Sequence, residues 1–245
     1  MFRFPWLLVI LSGAAEIGWT AATGPRRDLL FAMACGLAFA GTMLHAVLER
    51  SALWALGFAT VTFSAWFLAE LVNRYTELPF GHLRFTSEYG LTLAGVPLLV
   101  PFGQMALTYA VLIAARRVTK APLLVAVLGA LTVAGADLVF ESTLQRFGYV
   151  HWSDVTTIIP GSPDVPAQNF VGTLLVAVVT LLIVNLLPSN RARDGIPLVV
   201  FGWRYLGNIV GAVVILHASS LAITAAVLGG ALAIPYAYLI IVDRV

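Results

Sequence analysis

Along the chain, long apolar runs alternate with short polar breaks. Eight of these runs are long enough, at about 20 residues each, to cross a hydrocarbon core. They cover roughly 5–22, 29–48, 52–72, 98–115, 122–144, 168–187, 196–216 and 220–241. None shows the strict apolar/polar alternation that a membrane barrel strand requires, so the pattern predicts helices. The expected fold is all-α, a polytopic helical transmembrane bundle of about eight helices. No repeat or low-complexity linker divides it, so residues 1–245 read as a single transmembrane domain. Two connections are longer than a tight bundle needs: 73–97 (NRYTELPFGHLRFTSEYGLTLAGVP) and 145–167 (QRFGYVHWSDVTTIIPGSPDVPA). Long loops rich in aromatic residues and punctuated by Gly and Pro more often serve a site than merely connect.

Composition agrees with this reading. Hydrophobic residues make up 60% of the 245 residues, charged ones 11%, and mean hydropathy is +0.94, far more apolar than a soluble domain. The net charge is +2, and its basic residues are scattered in short loops rather than gathered on one face, which argues against nucleic-acid binding. One cysteine, Cys35, permits no intramolecular disulfide, and the four His show no metal-ligand spacing, so no metal site is expected. The first run, MFRFPWLLVILSGAA, reads as a retained helix rather than a cleaved leader. With eight spans the termini share a side, which collects Arg3, Arg50, Arg116, Arg117, Lys120, Arg191, Arg193 and Arg244. The other side holds Arg26, Arg27, Arg74, Arg84 and Arg146. The excess predicts cytoplasmic termini, and it puts both long loops on the opposite face.

Charged residues inside the spans change the picture most. Glu16, Glu70, Asp137 and Glu141 fall within or at the ends of apolar runs, where an ionised carboxylate costs several kcal/mol, so each needs a partner or a function. Asp137 and Glu141, in DLVFES, are spaced i, i+4 and share one helix face near the long loops. Arg204 lies near the middle of the seventh run with Asn208 one turn beyond. Gln104 and Tyr109 lie in the fourth, and Asn169 opens the sixth. Simpler roles stay open: Glu70 and Glu141 can reach the headgroups, Glu16 can be a packing carboxyl, and Arg204 can form a structural ion pair with one of the acids. His45 and His217 read as interfacial, and Trp6, Trp54, Trp66, Trp152 and Trp203 as members of the aromatic belts, Trp152 being also a candidate site wall.

Three blocks in order, LPFGHLRFTSEYGLTLAGVPLLVPFGQMALTYA, ADLVFESTLQRFGYVHW and VPAQNFVGTLLV, resemble the integral membrane carotenoid hydratases, the bisanhydrobacterioruberin hydratase-like family. The resemblance runs from about Glu70 to about Leu175 and departs from the family pattern at His151 and around Gly103 and Gln104. It implies a carotenoid biosynthesis enzyme of bacterial or archaeal cytoplasmic membranes, a hydro-lyase that adds water to the terminal alkene of a long acyclic carotenoid. It implies no cofactor, and it implies membrane lipid and other enzymes of the same pathway as neighbours. The motif positions carried over include Phe80, Pro97, Asp137, Glu141, Trp152 and Asn169.

Such a reaction needs an acid that protonates the less substituted alkene carbon and a water that captures the tertiary cation. An Asp and a Glu one turn apart in a low-dielectric setting can share one proton between them. The expected assignment is Asp137 as general acid and Glu141 as its partner, with Glu70 as a third catalytic candidate. Trp152, Asn169, Tyr149, Gln104, Arg204, Phe80 and Pro97 are the expected substrate-binding residues. Two other readings stay open, a carotenoid cyclase that uses the same initial protonation, and a proton-coupled transporter or non-catalytic pigment-binding subunit.

Overall fold

The computed structural model describes residues 3–153, 155–159, 161–188 and 192–242. Among the described residues there are eight α-helices: α1 Arg3–Ala21, α2 Pro25–Glu49, α3 Ala52–Thr76, α4 Leu99–Val118, α5 Pro122–Phe147, α6 Ala167–Val184, α7 Gly195–Val214 and α8 Ser219–Val242. All are long and apolar enough to cross a membrane, as expected for an integral membrane protein. At the loop end of the bundle α2 begins at Pro25, four residues before the expected start, and α3 continues through Asn73 and Arg74 to Thr76 where the expectation had a loop. Helical hydrogen bonding does not stop where side chains become polar; it stops at Glu77, whose backbone is left-handed. Proline at the first turn starts α2 and α5, Ser51 accepts the Trp54 N–H (3.2 Å) to cap α3, and left-handed Gly148 ends α5.

The centre of the bundle is α4 and α5, which bury residues on nearly every face, including the run from Thr108 to Arg116 in α4. Around them, α2, α3 and α7 pack on α4, and α6 and α8 pack on α5, with α1 held mainly against α2. Burial of α5 is what makes its two carboxyl groups unusual, because after the exposed first turns, with Leu123, Leu124 and Val127, the helix has no exposed residue from Leu128 to Gln145.

The two long connections meet at one end. They are not irregular, as expected, but hold three short antiparallel pairs. Strand β1 (Leu83–Phe85), from the first connection, pairs with β4 (Val150–Trp152), from the second. The other pairs are local: β2 (Thr92–Leu93) with β3 (Val96–Pro97), and β5 (Ile158–Ile159) with β6 (Ser162–Pro166). These pairs satisfy backbone groups that would otherwise lie unpaired over the bundle end.

At the other end, basic residues are tied down. Asp194 accepts from Arg50 Nη2 and Arg117 Nη2, both at 2.6 Å, and Arg116 donates to the carbonyls of Val184, Asn185 and Leu187 at the end of α6. Arg191 and Arg244, also counted for orientation, lie outside the described residues, as does the side chain of Arg3. His45 is not interfacial but buried: its Nδ1 meets the Tyr109 hydroxyl at 2.9 Å and its Nε2 the Arg193 carbonyl at 2.7 Å. Tyr109, on α4, therefore serves this end of the molecule. Trp54 and Trp66 are core residues rather than belt residues, Trp54 donating to the Pro188 carbonyl at 3.0 Å.

Candidate active site

Beneath the paired loops, six helices surround a narrow cavity of about 50 Å³. Three carboxyl groups line it: Glu70 from α3, and Asp137 and Glu141 from α5. Asp137 lies ten residues before the end of α5 and Glu141 six, so they sit about 15 and 9 Å below the loop end at about 1.5 Å per residue. Glu70 lies six residues before the end of α3, level with Glu141. It is 8% exposed and does not reach outward.

Hydrogen bonding separates the three acids. Both oxygens of Asp137 are engaged: Oδ1 accepts from Gln104 Nε2 at 2.9 Å, and Oδ2 from Thr173 Oγ1 at 3.1 Å. Glu70 Oε2 and Glu141 Oε2 are buried with no protein partner. Three further polar atoms at the same cavity share that condition, Gln104 Oε1, Asn169 Nδ2 and Trp66 Nε1. A buried polar group left unpaired costs about 1–3 kcal/mol, so five in one cavity mark a place built to meet a ligand's polar atoms.

The rest of the lining is apolar or aromatic. Trp66 stacks on Phe80 with ring centres 6.4 Å apart. Tyr89, between Phe31 and Phe85, is fully buried, and burial raises its phenol pKa well above the usual range. It remains a neutral hydroxyl at the cavity wall. The loop wall is fixed by Asn73, whose Oδ1 accepts from the Phe80 N–H (2.8 Å) and the Gly81 N–H (3.2 Å) while Nδ2 donates to the Gly81 carbonyl (3.0 Å). On α6, Gly172 lets the loop approach closely: a Cβ there would lie 2.6 Å from the Pro79 carbonyl oxygen.

A second, polar space opens toward the loop end. It is about 660 Å³, is lined by Arg74, Glu77, His82 and Arg84 among others, and shares Glu70 and Leu83 with the acid cavity. Glu70 thus stands between a vestibule at the bundle end and the enclosed carboxyl pair.

A protein-family profile described as "Carotenoid biosynthesis protein" matches residues 29–236. The chain belongs to this family. The match extends well beyond the Glu70–Leu175 stretch that carries the motifs, and takes in α7 and most of α8. The chain matches no curated protein and no solved structure. As a member of the carotenoid biosynthesis family, the protein has a place in the making of a long, apolar polyene, and the apolar walls around the acids suit such a molecule.

Of the residues expected at the site, Asp137, Glu141, Glu70, Gln104, Asn169, Phe80 and Arg204 line the cavity. Three expected there do not. Tyr149 is packed behind Tyr89 and donates to Asp28 Oδ1 at 2.8 Å, a tie to the start of α2. Pro97 pairs with Thr92 in the β2–β3 hairpin, so it shapes the loop without facing the acids. Trp152 is buried beside Glu141 and not in the cavity; its Nε1, like Glu141 Oε2, has no partner in hydrogen-bond geometry. Glu16 is the acid with which Arg204 forms an ion pair: it accepts from Arg204 Nη1 at 2.7 Å and from Trp203 Nε1 at 2.8 Å, both on the neighbouring α7. Asn208, one turn from Arg204, reaches the Ala136 carbonyl at 3.4 Å, next to Asp137.

Two contributors escaped the sequence reading. Thr173 carries a hydroxyl that in a membrane helix ordinarily bonds back to its own helix, as Thr42 and Thr180 do here, so nothing in NFVGT singles it out. Asn73 lay in what read as loop, and only the spacing to the LPFG turn hinted at its role. Among the described residues no group of three or more His, Cys, Asp or Glu side chains is arranged to hold a metal ion.

Proposed function

We propose that this protein hydrates the terminal alkene of a long acyclic carotenoid. The observation that carries the reading is the position of the three buried carboxyl groups, in a cavity with apolar and aromatic walls that meets a polar vestibule at Glu70. Alkene and water have opposite solubilities, and such a cavity can receive both.

The hydrogen bonding favours exchanging the roles first expected for the two acids of α5. A carboxyl group with two donors on its two oxygens is arranged as a carboxylate, which describes Asp137. Glu141, with a buried oxygen free of donors, is the better carrier of the proton. In the proposed step the Glu141 O–H bond breaks, and the alkene π pair takes the proton to form a C–H bond at the less substituted carbon. The positive charge falls on the tertiary carbon, where the fixed Asp137 carboxylate and the faces of Trp66, Phe80 and Tyr89 stabilise it. A water admitted past Glu70 donates a lone pair to that carbon, and its surplus proton returns through the carboxylates. One water is added, and no electrons leave or enter. Asn169 and Gln104 are placed to orient that water.

The test is expression in a host that accumulates lycopene, with mass analysis of the extracted pigment. The expected product is heavier by the mass of one water per modified end. Glu141→Gln should give no product while the protein remains in the membrane, and Asp137→Asn should reduce it strongly. Normal product from Glu141→Gln would remove the acid assignment, and a new pigment of unchanged mass would mean cyclisation instead.

A further inference from the structure

A second, markedly apolar groove of about 370 Å³ lies on the outside of the bundle between α1 and α7. It runs from Trp6 to Glu16 and Ile17, so its α1 side is about 15 Å long at about 1.5 Å per residue. Its walls face lipid: Ile10 is 63% exposed and Val199 49%. The few polar groups along it are already engaged. Ser12 Oγ donates to the Ala34 carbonyl at 2.7 Å, and Glu16 is bonded to Arg204 and Trp203. What remains is a hydrocarbon surface flanked by the indole rings of Trp6 and Trp203.

This groove and the acid cavity are neighbours. Arg204 lines both, and on α2 Cys35 lines the cavity while Ala38, one turn away, lines the groove. The Arg204–Glu16 ion pair stands at the junction. From it, α7 leads through Asn208 to Ala136, the residue before Asp137.

We infer that the α1–α7 groove binds the polyene chain of the carotenoid, with the chain's end passing Arg204 to reach Asp137 and Glu141. The inference rests on the carotenoid reading above and adds to it where the rest of the substrate lies. A rigid conjugated rod suits a straight apolar groove between two helices, whose side walls carry two indole faces. The acid cavity alone, enclosed by six helices, is far too small for a whole polyene. The wall that the two spaces share at Arg204 is what favours this occupant over a membrane acyl chain, which has no reason to point at a pair of carboxyl groups.

The experiment uses the full-length protein purified from a lycopene-accumulating host, and reads pigment retained per protein from visible absorption, alongside the mass of extracted pigment. Ala14, exposed in the groove, is replaced by Trp to fill it; Val227→Trp on lipid-facing α8 is the control. Ala14→Trp should lower retained pigment by about tenfold, equivalent to about 1.4 kcal/mol of binding, and Val227→Trp should leave it unchanged. If Ala14→Trp is absent from membranes, Val199→Trp fills the groove from the α7 side with the same expectation. Equal retention by the groove variant and the control, or no pigment on the wild type, would overturn the inference. Retention lost only in the groove variant, with no hydrated product from the wild type, would uphold the groove and reject hydration.

Discussion

Gly172→Ala tests whether the tight seam between α6 and the loop holds the cavity in shape. The added Cβ would lie 2.6 Å from Pro79 O, 2.8 Å from Pro79 C and 2.9 Å from Phe80 Cδ1. The closest of these is 0.8 Å short of the 3.4 Å at which ordinary contact begins. Two of the three obstacles are backbone atoms, and the same loop is pinned by Asn73, so relief requires moving the Pro79–Gly81 segment or tilting α6. Overpacking of this kind costs about 1–3 kcal/mol. Moving the loop also moves Phe80 off Trp66 and shifts Asn169, three residues before Gly172, relative to Glu70. The variant should therefore unfold in detergent at a lower temperature and convert less carotenoid. Gly36→Ala in α2 is the matched control, since nothing lies within 4 Å of its added Cβ. There the better helix propensity of Ala should leave stability unchanged or raise it by up to about 1 kcal/mol. Thermal unfolding followed by size-exclusion fluorescence, with pigment conversion in cells, reads both effects. Equal unfolding temperatures for the two variants would refute the claim that this seam is close-packed.

Gly103 lines the acid cavity and an added Cβ would meet nothing within 4 Å, so Gly103→Leu should fill the cavity and stop conversion without lowering the unfolding temperature. A normal pigment profile from that variant would place the reaction elsewhere. Asn73→Ala removes three hydrogen bonds from the loop wall and leaves the buried Phe80 N–H unpaired, while the Gly81 N–H keeps the Glu77 carbonyl, for a loss of about 1–3 kcal/mol. Asn73→Asp keeps both acceptor bonds and should be the milder of the two in an unfolding series. Asp194→Asn weakens the tie to Arg50 and Arg117 at the far end of the bundle, so it should lower the unfolding temperature while the fraction of pigment converted per folded protein stays the same.

The eight spans were legible because a membrane helix must be apolar over a fixed length, and that constraint leaves a strong signal in each run. The β pairs in the connections were not. Strands of two to five residues have too few positions to show a period, and β1 finds its partner more than 60 residues away. The buried tryptophans show a related failure. Composition suggests that Trp belongs at the interface, yet Trp66 and Trp54 fill the interior, because burial in a bundle is set by which face of the helix meets its neighbours.

For the site, the same physics made the carboxyl groups visible and hid their surroundings. An acid in an apolar run is conspicuous because burying it is costly, so Glu70, Asp137 and Glu141 stood out at once. The groups that divide the labour among them carry no such cost. Thr173 and Gln104 are ordinary residues of membrane helices until α4 and α6 are packed against α5, and only then does Asp137 hold a donor on each oxygen while Glu141 Oε2 holds none. The expectation that Asp137 delivers the proton treated the pair as symmetric, since i, i+4 spacing says only that the two groups share a face. What breaks the symmetry is depth together with neighbours. Asp137, one turn deeper, meets two polar side chains from adjacent helices, whereas Glu141 is level with Glu70 and the vestibule. A proton donor nearer the polar vestibule can be recharged through Glu70 after each turnover, and a fixed carboxylate beneath it can hold the cation without being quenched by bulk water. Exchanging the two residues, Asp137→Glu with Glu141→Asp, would keep the number of acids and move each carboxyl group by one methylene. If the division of roles is set by their partners, conversion should fall sharply even though the charge is unchanged.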